Sequence, residues 1–398
     1  VDKVRRVTNE LQPATLAQVV DVLERMYDPS WARDWDAVGL VCGDPSAPVR
    51  RVLLAVDPVA SVVDEALAWH ADLVLAHHPL LLKGVHGVPA TTAKGRIVHR
   101  LVRGGCGLYT AHTNADAAAP GVSDALARVL GLTDLEPLSA DPGNAVDKVV
   151  TFVPAEAVEA VVDAMSKAGA GHVGDYSRCA FTAAGTGTFL AGSSTSPSVG
   201  RAGERSDAVE QRVEMVLPRT LRGAVVAALR AVHPYEEPVI DLYELASWSS
   251  PRGIGRVGHL ASPTTLREFA MLVAEALPAA VQGVRISGDA SAEVSRVAVC
   301  GGAGDGLLGA ARAAGADVFV TADLRHHPVS ELREDVGDAG PFLVDVAHWA
   351  SEWPWLAGVA NRLEGVLEAA GTPVEVHVSQ RSTDPWTFRV PSPGSVVR

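Results

Sequence analysis

Cysteine is scarce: there are four, at positions 42, 106, 179 and 300, and no two form a Cys-x-x-Cys pair. This excludes a disulfide framework and a thiolate zinc knuckle, and it fits a reducing, cytoplasmic setting. Basic clusters are also missing. The chain carries 34 Lys and Arg against 47 Asp and Glu, a formal net charge of −13. A nucleic-acid binder would show a basic stripe, so the expected partner is a metal cation or a small molecule. No run approaches the roughly 18 apolar residues of a membrane span. The opening VDKVRRVTNELQPATLAQVV lacks the apolar centre of a signal peptide. Aromatic residues make up only 5%, whereas 47% are hydrophobic. Small and branched aliphatics suit closely packed α/β layers, and 398 residues leave room for two or three domains.

What is present is repetition. VRRVLLAVDPVASVVDEALAWHADLVLAHH from Val49 parallels VSRVAVCGGAGDGLLGAARAAGADVFVTAD from Val294. Val49, Arg51, Val52, Ala66, Ala71 and Asp72 recur as Val294, Arg296, Val297, Ala311, Ala316 and Asp317. Each copy reads strand, helix, strand, which implies parallel pairing through a right-handed crossover. A helix and a third strand follow in each copy, ending in AHTNAD (111–116) and AHWASE (347–352). Both ends therefore read Ala-His, then a carboxylate four residues after the histidine: His112…Asp116 and His348…Glu352.

A smaller repeat lies between these halves. VTFVPAEAVEAVVDAMSKAGAG (150–171) resembles VEMVLPRTLRGAVVAALRAVHP (213–234). Each reads strand, proline, then an apolar-faced helix, the pattern of a split βαβ or ferredoxin-like α+β domain. The Gly/Ser/Thr/Pro-rich stretch 183–206 is expected to be a loop inside it, and 131–147 and 247–257 to be linkers. The expected organisation is thus α/β: two pseudo-repeated halves, 1–135 and 255–398, forming one split layered domain, with a ferredoxin-like domain (136–254) inserted.

Ligands of parallel sheets gather at the carboxyl ends of strands. Three such ends carry metal-type side chains: His77-His78, His112…Asp116 and His348…Glu352. Adjacent strand residues point to opposite faces, so His77 and His78 can share a site only where the strand stops. Pro79 supplies that stop. An i, i+4 pair such as His348/Glu352 meets on one face if a helical turn begins there. The predicted metal ligands are His77, His78, Asp116, His348 and Glu352, holding two divalent cations; His112 is either a further ligand or a partner orienting one. Imidazole and carboxylate without thiolate suit Zn, Mn, Fe, Ni or Co, with zinc favoured. A second His-His-Pro, at 326–328, falls past the strand end and is not the counterpart of the first. At the repeat offset His77 and His78 correspond to Ala322 and Asp323. HPYEEP (233–238) reads as a turn between helix and strand, or as a lid over the metal site. CGGAGDGLLG (300–309) reads as a tight strand-to-helix turn or a phosphate-binding loop, and it lacks the lysine of a P-loop.

WDAVGL (35–40), HHPL (77–80), AHTNAD (111–116), TADLRHH (321–327) and DVAHWASE (345–352) together resemble the motifs of the GTP cyclohydrolase 1 type 2 homologue, or Nif-three-like, family. The resemblance runs through almost the whole chain. The middle segment resembles the CutA-type and nitrogen-regulatory-type insert of the longer bacterial members. Departures fall at Ala37, where Asn is usual, at Ala322, where Gly is usual, and at Trp349, where Tyr is frequent; none is a proposed ligand.

The resemblance implies a dimetal centre on His77, His78, Asp116, His348 and Glu352, and a toroidal homohexamer. It also implies hydrolysis of GTP or another nucleotide: activated water attacks the purine imidazole carbon, the ring opens and formate leaves, with His112 as the catalytic proton shuttle. Two rival expectations stand beside this. One is a metal-binding, metal-delivery or regulatory scaffold without turnover; the other is a hydrolase of a different nucleotide or phosphoester.

Overall fold

The computed structural model describes residues 12–143, 145–246, 249–337 and 339–390. The chain divides into two compact units, Val1–Asp141 with Pro251–Arg398, and Pro142–Ser250.

The first unit holds two mainly parallel sheets. One runs Glu375–Val378, Arg51–Ala55, Leu73–Ala76, Gly107–Thr110, Gly39–Cys42, with only the last strand antiparallel. The other runs Arg285–Ser287, Phe342–Val346, Val318–Ala322, Glu293–Ala303, Ser249–Thr265, Thr133–Pro142. Its three strands from Glu293–Ala303 to Phe342–Val346 are mutually parallel.

The two halves repeat in atomic detail. Asp72 accepts from the backbone N–H groups of Arg50 and Arg51 at 2.7 and 2.9 Å, and Asp317 accepts from those of Ser295 and Arg296 at 2.9 and 2.7 Å. Arg51 donates to the carbonyl of Trp69 and Arg296 to that of Ala314. Thr15 and Thr265 each close a capping box, with Gln18 and Glu268, at the start of helices Leu16–Met26 and Leu266–Ala276. These helices bury Leu16, Val19 and Leu23, and Leu266, Phe269 and Val273, at identical spacing. The halves are not separate bodies. Each sheet takes an edge strand from the other half, and Leu54, Leu75 and Tyr109 share one core with Val299, Val320, Val344 and Trp355.

The stretches expected to be linkers, 131–147 and 247–257, do carry the boundaries between the two units, but their described residues are largely strand; 247 and 248 lie outside the described residues. Residues 133–142 form a strand at the margin of the six-stranded sheet, where Pro137 and Pro142 are tolerated because an edge leaves donors unused. The adjoining strand Ser249–Thr265 contains glycines because its backbone lies close to a neighbour. A Cβ on Gly258 would meet the carbonyl oxygen of Thr133 at 2.6 Å, and one on Gly253 that of Ser139 at 2.3 Å. Glycine here marks close backbone approach, not a turn.

The second unit has the order strand Val146–Val153, helix Val158–Lys167, strands Ala180–Leu190 and Arg205–Pro218, helix Arg222–Val232, strand Ile240–Glu244. Its antiparallel sheet runs Ile240–Glu244, Val146–Val153, Arg205–Pro218, Ala180–Leu190, which is the split βαβ arrangement. Val161, Met165, Val225 and Leu229 of the helices pack on Val149, Val213 and Met215. The stretch expected as a loop from 183 is strand as far as Leu190; cross-strand pairing with Arg205–Pro218 overrides its weak propensity. Among the described residues no helix is long and apolar enough to cross a membrane.

Candidate metal centre

The strand Leu73–Ala76 is wholly buried and stops at His77. There the ladder alternation fails. His77 and His78 both donate their backbone N–H to the neighbouring chain, to the carbonyls of Ala55 (3.1 Å) and Val56 (2.8 Å). In a regular parallel ladder only every second residue would do so. The local twist turns both rings to one side, with centroids 5.0 Å apart.

The next strand, Gly107–Thr110, ends at His112, and a short helix Thr113–Ala117 begins there; the N–H of Asp116 bonds the carbonyl of His112 at 3.0 Å. The corresponding strand of the other sheet, Phe342–Val346, ends at a helix His348–Glu352, whose first and last side chains meet at 3.0 Å. Both Ala-His-x-x-x-acid ends therefore open helical turns, and the three strand ends converge. The His112 ring lies 5.2 Å from that of His77 and 5.5 Å from that of His78; the His348 ring lies 5.1 Å from that of His78. His77 Nε2 is 3.7 Å from Asp116 and 3.5 Å from Glu352. Two overlapping groups have ligand atoms mutually within 4.8 Å, His77/His78/His112 and His78/His348/Glu352.

Each imidazole is oriented from behind. Nδ1 of His78 bonds Asp57, Nδ1 of His348 bonds Asp323, both at 2.7 Å, and Nδ1 of His112 bonds Asp36 at 2.8 Å. Nδ1 of His77 donates to the carbonyl of Ala111 at 2.9 Å. With every Nδ1 engaged, Nε2 is the nitrogen turned to the centre. Asp57 is itself held by the Thr383 hydroxyl, brought from the far end of the chain.

These residues fit a cation. His77 Nε2 and Glu352 Oε2 are buried and have no hydrogen-bond partner, although Glu352 Oε2 lies only 3.2 Å from His78 Nε2. An orphaned imidazole nitrogen and an orphaned carboxylate oxygen facing one place are costly unless a metal takes both lone pairs. Donors of this type suit a first-row divalent ion. Charges agree. Burial alone would raise the carboxyl of Glu352, but His78, His77 and His348 hold it well below its ordinary value. Burial works against a charged His78, yet Glu352 and Asp57 push it up to about 11; His348, favoured by Glu352 and Asp323 against its burial, rises to about 9. Burial raises Asp116, with His77 opposing. In the cation-free protein, imidazolium protons balance Glu352, and a divalent ion would replace them.

Sequence reasoning missed four contributors. Asp36, Asp57 and Asp323 lie inside or beside conspicuous motifs, but nothing local says that they face imidazoles. Gly302 is the fourth. Its φ is +69°, and a Cβ there would sit 2.5 Å from Glu352 Oε1 and 3.2 Å from His348 Nε2. The glycine-rich string is the tight strand-to-helix turn, leading from strand Glu293–Ala303 through Asp305–Leu307 into helix Leu308–Ala313, with Gly302 pressed against Glu352 and His348. His326 and His327 are exposed and open the helix His326–Val336, their rings edge-on with centroids 5.3 Å apart; the helix starts at the motif, not after it. Pro328 fits because the first helical turn needs no donor there. HPYEEP forms the turn before Ile240–Glu244, and its Tyr235, Glu236 and Glu237 line, with Phe152 and Glu210, a cavity of about 840 Å³ in the second unit.

Fold and cluster define the class: a pseudo-twofold α/β protein whose parallel strand ends converge a histidine–carboxylate group suited to metal. The model of the Duf34/NIF3 (NGG1p interacting factor 3) family matches residues 14–385. Among curated relatives, a Mycobacterium tuberculosis protein named GTP cyclohydrolase 1 type 2 homolog is 50% identical over 374 residues, 94% of this chain and 97% of its own. A Bacillus subtilis protein of the same name is 36% identical, covering 93% and 98%. Of solved structures, a Bacillus cereus protein related to NIF3 aligns with TM-score 0.70 at 35% identity, over 94% and 99% of the two chains. A Staphylococcus aureus protein aligns with TM-score 0.79 at 28% identity, over 95% and 99%. The chain belongs to the Duf34/NIF3 family.

Proposed function

We propose that this chain is a hydrolase that works through two divalent cations and opens the ring of a purine nucleotide. One observation carries the metal part: Nε2 of His78 and Nε2 of His348 lie 3.3 Å apart while both Nδ1 atoms are committed to carboxylates. Two imidazole nitrogens sit this close only with a proton or a metal ion between or beside them, and the unpartnered His77 Nε2 and Glu352 Oε2 next to them favour the ion. The two ligand groups share His78, whose one free Nε2 serves a single ion, so they support a cation site, and the second ion is drawn from the family resemblance. His77, His78, Asp116, His348 and Glu352 would hold the ions. Convergence of His112 with His77 and His78 favours it as a sixth ligand over a free proton shuttle.

When bound, such a pair supplies Lewis acidity and lowers the pKa of water. The chain supplies the frame. Glu352 and His77, both buried, form the closed floor; His348, His78, Asp116 and His112 form the partly open rim where a substrate enters. The purine assignment is drawn from the name carried by relatives, GTP cyclohydrolase 1 type 2 homolog. The test is formate release from GTP by protein loaded with Zn, Mn or Fe, set against Asp116→Ala and Glu352→Ala. Release that both variants abolish supports the reading. Stoichiometric metal with no formate under any ion overturns the hydrolase and leaves a metal-binding protein.

A further inference from the structure

Trp35 is out of place for an apolar residue: its side chain is 59% exposed. Its backbone is nevertheless pinned at both sides. The N–H of Asp36 bonds the carbonyl of Arg33 at 2.9 Å, closing a turn with Trp35 inside it. At one end of this turn the N–H of Arg33 donates to the Thr113 hydroxyl at 2.9 Å. At the other, the buried Asp36 carboxylate accepts from the Thr113 N–H at 3.0 Å and the His112 Nδ1–H at 2.8 Å. The turn is thus fastened to the strand end that carries His112, and the indole is held edge-on to that imidazole, centroids 5.9 Å apart and planes at 76°. Leaving an indole in water forgoes its burial energy, and fixing it beside a reactive cluster adds ordering cost. A protein gains from that placement when a planar partner covers the exposed face.

We propose that Trp35 is the stacking platform for the substrate, and that the substrate carries a planar heteroaromatic ring. The inference rests on the metal-centre reading and deepens it. A ring laid on the indole lies beside His112, whose own ring is 5.5 Å from that of His78. Stacking is tolerant of which base is present, so Trp35 selects for a flat ring, and the rim of the centre selects the reacting edge. Asp36 is a positioning residue: it fixes His112 on one side and the turn bearing Trp35 on the other.

The test uses the full chain loaded with zinc, with GMP and ribose 5-phosphate as probes in titration calorimetry. GMP is expected to bind and ribose 5-phosphate to bind far more weakly. Trp35→Ala should weaken GMP on the order of 10-fold to 100-fold, the range for loss of one aromatic–base stack, with metal content and ribose 5-phosphate affinity unchanged. Trp35→Phe should restore most of the loss and Trp35→Leu should not, since only a π-face stacks. Equal GMP affinity in Trp35→Ala overturns the proposal. So does wild type that fails to bind GMP, or a Trp35→Ala variant whose assembly size changes in light scattering, which would make the indole a contact with a second copy. GMP binding that depends on Trp35 without formate release from GTP sustains the platform while overturning the hydrolase.

Discussion

Nε2 of His78 and Nε2 of His348 face each other at 3.3 Å although 270 residues separate them in the chain. Glu352 stands against both, 3.2 Å from the first and 3.0 Å from the second. Replacing Glu352 by Gln keeps the shape and removes the charge that balances three imidazoles. Metal content after gel filtration, measured by elemental analysis, should fall to less than half of wild type. An unchanged content would show that Glu352 is not a ligand.

The carboxylates behind the rings give a second prediction. Asp57 and Asp323 accept from Nδ1–H of His78 and His348. An Asn amide can donate to Nδ1 instead, which would move the ring proton to Nε2 and block its lone pair. Asp57→Asn and Asp323→Asn should each weaken zinc binding about 10-fold to 100-fold with Tm nearly unchanged, read by competition with a chromophoric chelator. Thr383→Val, one step further from the ring, should do the same more weakly.

Much of this centre was legible because the chemistry sits at strand ends and the strands repeat. The matched pairs His112…Asp116 and His348…Glu352 pointed to one place before any coordinate, since equivalent strands of related sheets end at equivalent edges. What stayed hidden was whatever depends on a distant approach. Asp57 and Thr383 meet across 326 residues, and no local pattern announces that. The stretch 131–147 reads as a linker because prolines and small polar residues dominate it; the unit boundary does fall inside it, but an edge strand tolerates the same residues. Glycine was ambiguous for the same reason: at Gly253 and Gly258 it records a neighbouring atom, not a turn, and at Gly302 both.

Gly302 supplies the third prediction. Gly302→Ala must both adopt φ near +69° and place a methyl 2.5 Å from Glu352 Oε1. The backbone term alone costs about 1–2 kcal/mol. Stability should therefore fall by at least that much in denaturant titration of the metal-free protein. Because the methyl also displaces the Glu352 carboxylate, metal affinity should fall as well. A variant with wild-type zinc affinity would show that displacing Glu352 leaves metal binding untouched.

The fourth prediction concerns the second unit, where Asp147 is fully buried between Arg219 (3.0 Å) and Arg222 (2.7 Å). The hydrogen bond from Arg222, more than the opposing burial, holds the Asp147 carboxyl below its ordinary range, with Arg219 adding to it. A carboxylate depressed in the folded state stabilises fully above its unfolded pKa, about 3.9, and loses that contribution as pH falls through the folded value. The unit should therefore lose stability as pH drops below about 4. Asp147→Asn should lower its melting temperature at pH 7 by a few degrees and flatten the acid limb. Hydrogen exchange of the strand Val146–Val153, followed between pH 7 and pH 3, reads this unit directly. If the variant and wild type lose protection in parallel as pH falls, Asp147 is not the titrating group, and the acid sensitivity belongs elsewhere in the sheet.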